Sequence, residues 1–134
     1  MPIVVVVVVV SGWYGYMRYI TSCDYLSHFS NADMEAMLWR RDDRIFALTQ
    51  SMRFCPAKQY TPYLVKALGF DMAGHIGPFN VESLAGDANR ALNKIYGRDL
   101  YFHEHGDGTE GDLLKRSDET INTWNSLYSK GELR

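Results

Sequence analysis

The stretch IVVVVVVV, from Ile3 to Val10, is the most distinctive feature of this sequence and decides the predicted fold. β-Branched valines are stiff at χ1 and favour extended backbone. The run does not alternate with polar residues, which is typical of a strand that is covered on both faces in a parallel or mixed sheet. We therefore expect this segment to be the central strand of an α/β domain.

Two further segments have the pattern of short buried strands, residues 44–49 and residues 99–105. Between them, residues 71–80 are rich in glycine and are predicted to form a loop. Helical patterns cover residues 32–41 with Asn31 as N-cap, residues 61–68, residues 84–96 before Gly97, and a last helix from the Ser117 cap to Gly131. The alternation of strands and helices predicts a single α/β domain over residues 1–134 with a mostly parallel or mixed sheet, and an α+β fold is the alternative.

Length and composition exclude several classes of protein. The chain has 134 residues, of which 46% are hydrophobic and 22% are charged, so it is too apolar to be disordered. Its net charge is −2, with 14 basic residues dispersed among 16 acidic ones. A nucleic-acid-binding domain usually carries a basic stripe, and we therefore expect no general binding to duplex nucleic acid.

The N-terminus and the cysteines bear on the compartment. Only Met1 and Pro2 precede the apolar run, and Ser11 follows it, whereas a signal peptide has a basic leading segment and a membrane span needs about 20 apolar residues. We therefore expect a soluble, cytoplasmic protein without membrane association. Cys23 and Cys55 lack the spacing of a metal site and are interpreted as buried thiols of a reducing compartment, with a disulfide left open.

A ligand site is predicted where the strands end, because open α/β sheets bind ligands at the carboxyl ends of their strands. Ser11 and Gly12 follow the first strand and would contact an anion through backbone N–H groups. Tyr14 or Tyr16 would stack on the ligand, and Arg53, after the second strand, would pair with its charge.

Three polar residues at the end of the third predicted strand suggest catalysis. His103 and His105 lie two residues apart, so their imidazoles would point to one side of a strand, with Asp107 just beyond. Imidazole titrates near neutral pH, which suits a general acid or base. These groups could also ligate a metal, but His28 and His75 lack ligand spacing, and no metal or cofactor is assigned.

The loop from His105 to Asp112 resembles the DxDGTxxD motif of haloacid-dehalogenase-type phosphotransferases. The motif begins with a nucleophilic aspartate, and His105 holds that position here, where it cannot form an aspartyl intermediate. The sequence is therefore assigned to no family.

Two functions follow from these residues. The leading hypothesis is a hydrolase or transferase that acts on a nucleotide or another phosphorylated small molecule. The alternative is a non-enzymatic protein-interaction module, such as an inhibitor or an assembly subunit, that uses the aromatic residues between Trp13 and Tyr19. Neither hypothesis decides whether the protein forms an oligomer.

Overall fold

Helices form most of the regular structure in the computed structural model, which describes residues 2–20, 23–70, 73–76, 80–102 and 110–133. The first helices are α1 Pro2–Ile20, α2 Cys23–Ser27, α3 Asn31–Arg40, α4 Arg44–Phe54 and, after a 3₁₀ turn at Lys58–Tyr60, α5 Thr61–Ala67. The remaining elements are β1 Ala73–Ile76, β2 Asn80–Ser83, α6 Leu84–Tyr96 and α7 Glu110–Ser129.

The strands β1 and β2 form one antiparallel hairpin, with Ala73 opposite Ser83 and Ile76 opposite Asn80. No other strand occurs in the described ranges. The protein is therefore all-α, and the predicted α/β class with a parallel or mixed sheet is wrong.

The valine tract is an exposed helix and not a buried strand. Val4 to Val10 lie in α1, and each of these residues is 58–65% exposed. Successive helix residues point in directions about 100° apart, so this part of α1 is uncovered on every side. A strand without a neighbour leaves its backbone groups unpaired, whereas a helix pairs them internally. The prediction of a central strand from Ile3 to Val10 is wrong for this reason.

The second predicted strand, residues 44–49, is also helical and belongs to α4. Ile45 to Thr49 are all buried, because other elements surround this part of α4. Its sequence therefore lacks the polar positions that mark the exposed face of an amphipathic helix. Its buried hydroxyls bond within the helix: Thr49 Oγ1 donates to the Ile45 carbonyl over 2.6 Å, and Ser51 Oγ donates to the Ala47 carbonyl over 2.8 Å. A buried helix and a buried strand share this sequence pattern, which explains the error.

The third predicted strand, residues 99–105, is irregular as far as Phe102, and its remainder lies outside the described residues. Side chains of α6 satisfy its backbone in place of a neighbouring strand. Asn93 accepts from the Leu100 N–H over 3.0 Å, and the amides of Asn89 and Asn93 donate to the Leu100 carbonyl over 2.9 and 3.0 Å.

Three predicted helices are confirmed, as α3, α5 and α6. The N-cap of α3 is Ser30 rather than Asn31, and Ser30 forms a capping box with Asp33. Pro62 stands in the first turn of α5, and Gly97 ends α6 in the left-handed conformation that glycine favours.

Two other boundaries differ from prediction. The β-hairpin occupies part of residues 71–80, which were expected to form a loop. The last helix, α7, begins at Glu110, so Ser117 lies inside it and is buried instead of capping it. Gly131 adopts a positive φ of 68° after the helix end, as expected.

The core is built around α4 and α6, which pack against each other and against α3 and α5. Its largest fully buried side chains are Trp124, Tyr63, Leu26, Met34, Leu38, Ile45, Leu48, Met52, Leu64, Leu68, Leu84 and Leu92. Burial raises the pKa of the Tyr63 hydroxyl, which lies 2.7 Å from Thr49 Oγ1. Tyr63 is therefore a neutral hydrogen-bonding residue of the core.

Cys23 and Cys55 form a disulfide that joins the start of α2 to the residue that follows α4. The interpretation of the two cysteines as buried thiols is therefore wrong. Their spacing of 32 residues contained no signal for the pairing, which depends on the packing of α2 against α4.

Among the described residues, none of the helices combines the length and the apolar character that crossing a membrane requires.

Candidate functional site

A basic groove lies between the C-terminal ends of α4 and α6. Its volume is about 480 Å³, which falls in the range of about 300–1,000 Å³ found for small-ligand pockets. Its lining combines cationic, aromatic and small polar residues: Arg53, Phe54, Arg90, Asn93, Lys94, Gly97, Arg98 and Asp99. The groove therefore has the size of one small ligand.

The charge of this lining is opposite in sign to that of the whole chain. The lining contains four cationic side chains and one carboxylate, although the chain carries a net charge of −2. Cations are favoured in the last turn of a helix by its dipole, which accounts for Arg53 of α4 and Lys94 of α6. Arg90 and Arg98 lie outside those last turns, so the dipole does not account for the whole cluster. The groove is a local region of positive potential that attracts anions.

Asp87 holds two of the guanidinium groups in place. It is fully buried in α6, and its Oδ1 lies 3.1 Å from Arg90 Nη1 and 4.0 Å from Arg53 Nη1. The side chains of Arg53 and Arg90 remain 32% and 37% exposed. Both arginines are therefore held by one buried carboxylate and partly exposed in the groove wall, which lowers the entropy lost when they bind a ligand.

The turn after α6 places Arg98 and Asp99 at the groove. Gly97 has a φ of 62°, which a side chain would strain, and the Arg98 N–H donates to the Asn93 carbonyl over 3.0 Å. The bonds between Asn93 and Leu100 then fix the chain on its return along α6. Three separate contacts thus set the position of this wall.

The other wall ends in Phe54, which is 68% exposed. The Arg53 guanidinium carbon lies 5.7 Å from the centre of the Phe54 ring. The next residue, Cys55, is tied by its disulfide to Cys23. The end of α4 is therefore covalently held at the point where it enters the groove.

A second hollow of about 300 Å³ adjoins the basic groove and shares Arg90, Asn93 and Asp99 with it. Its other lining residues are Gly86, Asn89, Leu100, Tyr101 and Phe102. The two cavities therefore share part of one wall along α6, and the lining of the second carries fewer charged residues.

Of the five residues predicted to bind a ligand, Arg53 lines the basic groove. Ser11, Gly12, Tyr14 and Tyr16 are exposed on α1, where they form part of a helix and not of a loop after a strand. The interior N–H groups of a helix are bonded to carbonyls four residues earlier, which removes the reason for placing an anion at Gly12.

The predicted catalytic residues His103, His105 and Asp107 lie outside the described residues. Within the described ranges, no group of three or more His, Cys, Asp or Glu side chains could hold a metal ion.

Sequence reasoning did not identify Arg90, Lys94 and Arg98 as site residues. The spacing of four between Arg90 and Lys94 is a usable signal, because residues four apart lie on the same face of a helix, whereas Arg98 lies in the turn after α6. The contribution of Arg53 to the same cluster comes from the packing of α4 on α6 and leaves no local signal.

In comparisons with known proteins, no family model, no curated protein and no solved structure matches the chain.

Proposed function

We propose that the protein binds a phosphate-bearing small molecule in the basic groove. The observation that carries this proposal is a cluster of four cationic side chains around a cavity of about 480 Å³ on a chain of net negative charge. The proposal keeps the ligand class predicted from the sequence and moves its site from strand ends to the junction of α4 and α6.

Arginine suits this ligand because its planar fork donates two parallel hydrogen bonds to phosphate oxygens. Arg53 and Arg90 both contact Asp87, which orients the two guanidinium groups in the wall of the groove. Lys94 and Arg98 are exposed and add charge at the edge of the groove. The concave shape favours a small molecule over a duplex, which needs a basic stripe along a surface.

A hydrolytic or transfer reaction stays a prediction. The cationic lining would stabilise charge on a phosphoryl group, which is one requirement of such a reaction. The proton transfer predicted for His103 or His105 involves residues outside the described ranges. Binding is therefore the function that the described geometry supports directly.

Calorimetric titration with pyrophosphate tests the proposal. Lys94→Glu reverses one charge in the groove, and we expect it to weaken pyrophosphate binding about tenfold or more. Lys130→Glu makes the same change at an exposed lysine beyond the end of α7, and we expect its affinity to stay within about twofold of the parent. Absence of binding to the parent protein, or equal losses in the two variants, would contradict the proposal.

A second candidate function, an assembly subunit, is favoured by α1. Val4 to Val10 are 58–65% exposed, and Trp13, Tyr14 and Tyr16 are 54–64% exposed. An uncovered apolar surface of this kind marks an interaction site. No Lys, Arg, Asp or Glu occurs before Arg18, so the partner surface must itself be uncharged and apolar. We propose that the partner is α1 of a second copy, since α1 presents such a surface.

Sedimentation across a wide range of concentration tests this second proposal. We expect the protein to form oligomers and Val5→Lys/Val9→Lys to sediment as a monomer, because burying the new charges would be unfavourable. The control Ala32→Lys/Ala36→Lys adds the same charges at exposed positions of α3 and should sediment like the parent. A monomeric parent protein would contradict self-assembly.

The cytoplasmic location predicted from the sequence also stays a prediction. The Cys23–Cys55 disulfide argues against it, since disulfides are rare in reducing compartments. Thiol labelling of the protein in intact cells tests this point: a labelled, reduced pair would support the cytoplasm, and an unreactive pair would support an oxidising compartment.

A further inference from the structure

We infer that the ligand of the basic groove is a nucleotide whose base stacks on Phe54, an inference that rests on the proposed phosphate-binding function. The structural relation behind it is an exposed aromatic ring next to four cationic side chains in the wall of one cavity.

The position of Phe54 is not explained by the core. The residue is 68% exposed, although it is the last residue of a helix whose neighbouring Met52 is fully buried. Because most of the Phe54 side chain is exposed, its apolar surface is available to a molecule outside this chain.

The ring is held where a ligand would meet it. Arg53 lies 5.7 Å from its centre and also contacts the buried carboxylate of Asp87 at 4.0 Å. Cys55 follows directly and is tied to Cys23. These contacts restrain the last turn of α4 and hold the Arg53 guanidinium beside the Phe54 ring.

This pairing of groups matches the two chemical parts of a nucleotide. Phosphate oxygens bind to guanidinium and ammonium groups, and the flat face of a base stacks on an aromatic side chain. Every base has such a face, so the groove is expected to accept different bases with modest preference. The cavity of about 480 Å³ has a volume suited to one nucleotide.

Two probes isolate the base from the phosphate. Adenosine 5′-monophosphate and ribose 5-phosphate carry the same phosphate and sugar, and only the first has a base. We expect the parent protein to bind the nucleotide about 5- to 150-fold more tightly, the range given by stacking of one base on an aromatic ring. Phe54→Ala and Phe54→Leu should bring the ratio of the two affinities close to one, whereas Phe54→Tyr should keep it.

The control is Trp39→Ala, which removes a side chain that is 74% exposed on α3 and outside the groove. It should leave the ratio of affinities unchanged. Phe54→Leu keeps apolar bulk without a π-face, so retention of the ratio in that variant would show that stacking is not involved.

The outcomes separate this inference from the proposed function. If neither probe nor pyrophosphate binds, the proposed function is wrong and the inference falls with it. If pyrophosphate binds but the nucleotide has no advantage over ribose 5-phosphate, or if Phe54→Ala weakens both probes equally, only the inference is overturned. A single-stranded oligonucleotide offers several nucleotides to one groove, which raises its apparent affinity in proportion to their number. Tighter binding than this factor explains would also overturn the inference.

Discussion

The indole Nε1 of Trp124 donates a 2.8 Å hydrogen bond to Oδ1 of Asn89 in the middle of the core. Trp124 of α7 is fully buried, and Asn89 of α6 is 3% exposed. The same amide donates to the Leu100 carbonyl over 2.9 Å. One asparagine therefore joins α6, α7 and the segment that lines the second hollow.

Replacing Trp124 by Phe removes the indole donor and leaves the Asn89 carbonyl oxygen buried without that bond. We expect a loss of about 1–3 kcal/mol in the free energy of unfolding, measured by urea denaturation. The matched control is Asn125→Ala in the next position of α7, where an exposed amide bonds the Ile121 carbonyl and its loss should cost under about 0.5 kcal/mol. Equal losses in the free energy of unfolding would show that the buried hydrogen bond contributes no more to stability than the exposed one.

The disulfide should stabilise the fold by restricting the conformations that the unfolded chain can adopt. Cys23 and Cys55 are separated by 32 residues, and closure of a loop of that length corresponds to about 3–4 kcal/mol in the chain-entropy account. We expect a reductant to lower the urea midpoint of the parent protein, and the double variant Cys23→Ser/Cys55→Ser to show that lower midpoint with or without reductant. A parent midpoint that does not respond to reduction would refute this.

Asp87→Asn should weaken both the fold and anion binding. The change weakens the charged contacts with Arg53 and Arg90, and we expect a loss of about 1.5–3 kcal/mol in the free energy of unfolding. The two guanidinium groups also lose the carboxylate that holds them in place, so pyrophosphate should bind more weakly than to the parent. Calorimetry below the unfolding range measures this, and unchanged or tighter binding would contradict the positioning role of Asp87.

Because of the ion pair between Asp42 and Arg44, we expect part of the free energy of unfolding to be lost at acidic pH. The hydrogen bond from the Arg44 side chain, 2.7 Å between Nη2 and Oδ2, lowers the pKa of Asp42 from 3.8 to about 2. Because the pKa is lower in the folded protein, this contribution is complete above about pH 4 and is lost as the pH falls through about 2. The pair is partly exposed, so the contribution is expected to be about 0.5–1 kcal/mol.

The measurement compares urea unfolding of the parent protein and Asp42→Asn across this range of pH. The difference in stability between them should shrink as the pH falls. Asp43→Asn, at an exposed neighbouring position without a side-chain cap bond, should follow the parent at every pH. A difference for Asp42→Asn that stays constant with pH would contradict the assigned pair.

Local signals predicted α3, α5 and α6, because each helix carries its own start or stop. Pro62 lacks an N–H and fits the first turn, and Gly97 tolerates the positive φ that ends a helix. The apolar residues of α6 recur at helical spacing, and its Leu84, Ala88 and Leu92 are fully buried as that spacing indicates.

The identity of α1 and α4 was not open to local reasoning. A continuous apolar run occurs in buried strands and also in buried helices such as α4, and the exposed helix α1 carries the same local pattern. α4 is enclosed by other helices, and Val4 to Val10 have no strand beside them in the described part of the chain. The error in fold class follows from these two segments and from the third predicted strand, which is irregular over residues 99–102.

By itself, the sequence determined where several helices begin and end and which of their faces are apolar, since caps, proline and glycine act through bonds within a few residues. Only the tertiary structure decided that Arg53 joins Arg90, Lys94 and Arg98 around one cavity, and that Cys23 meets Cys55. These groups are distant along the chain, and their approach results from the packing of α2 and α6 on α4, which no local pattern encodes.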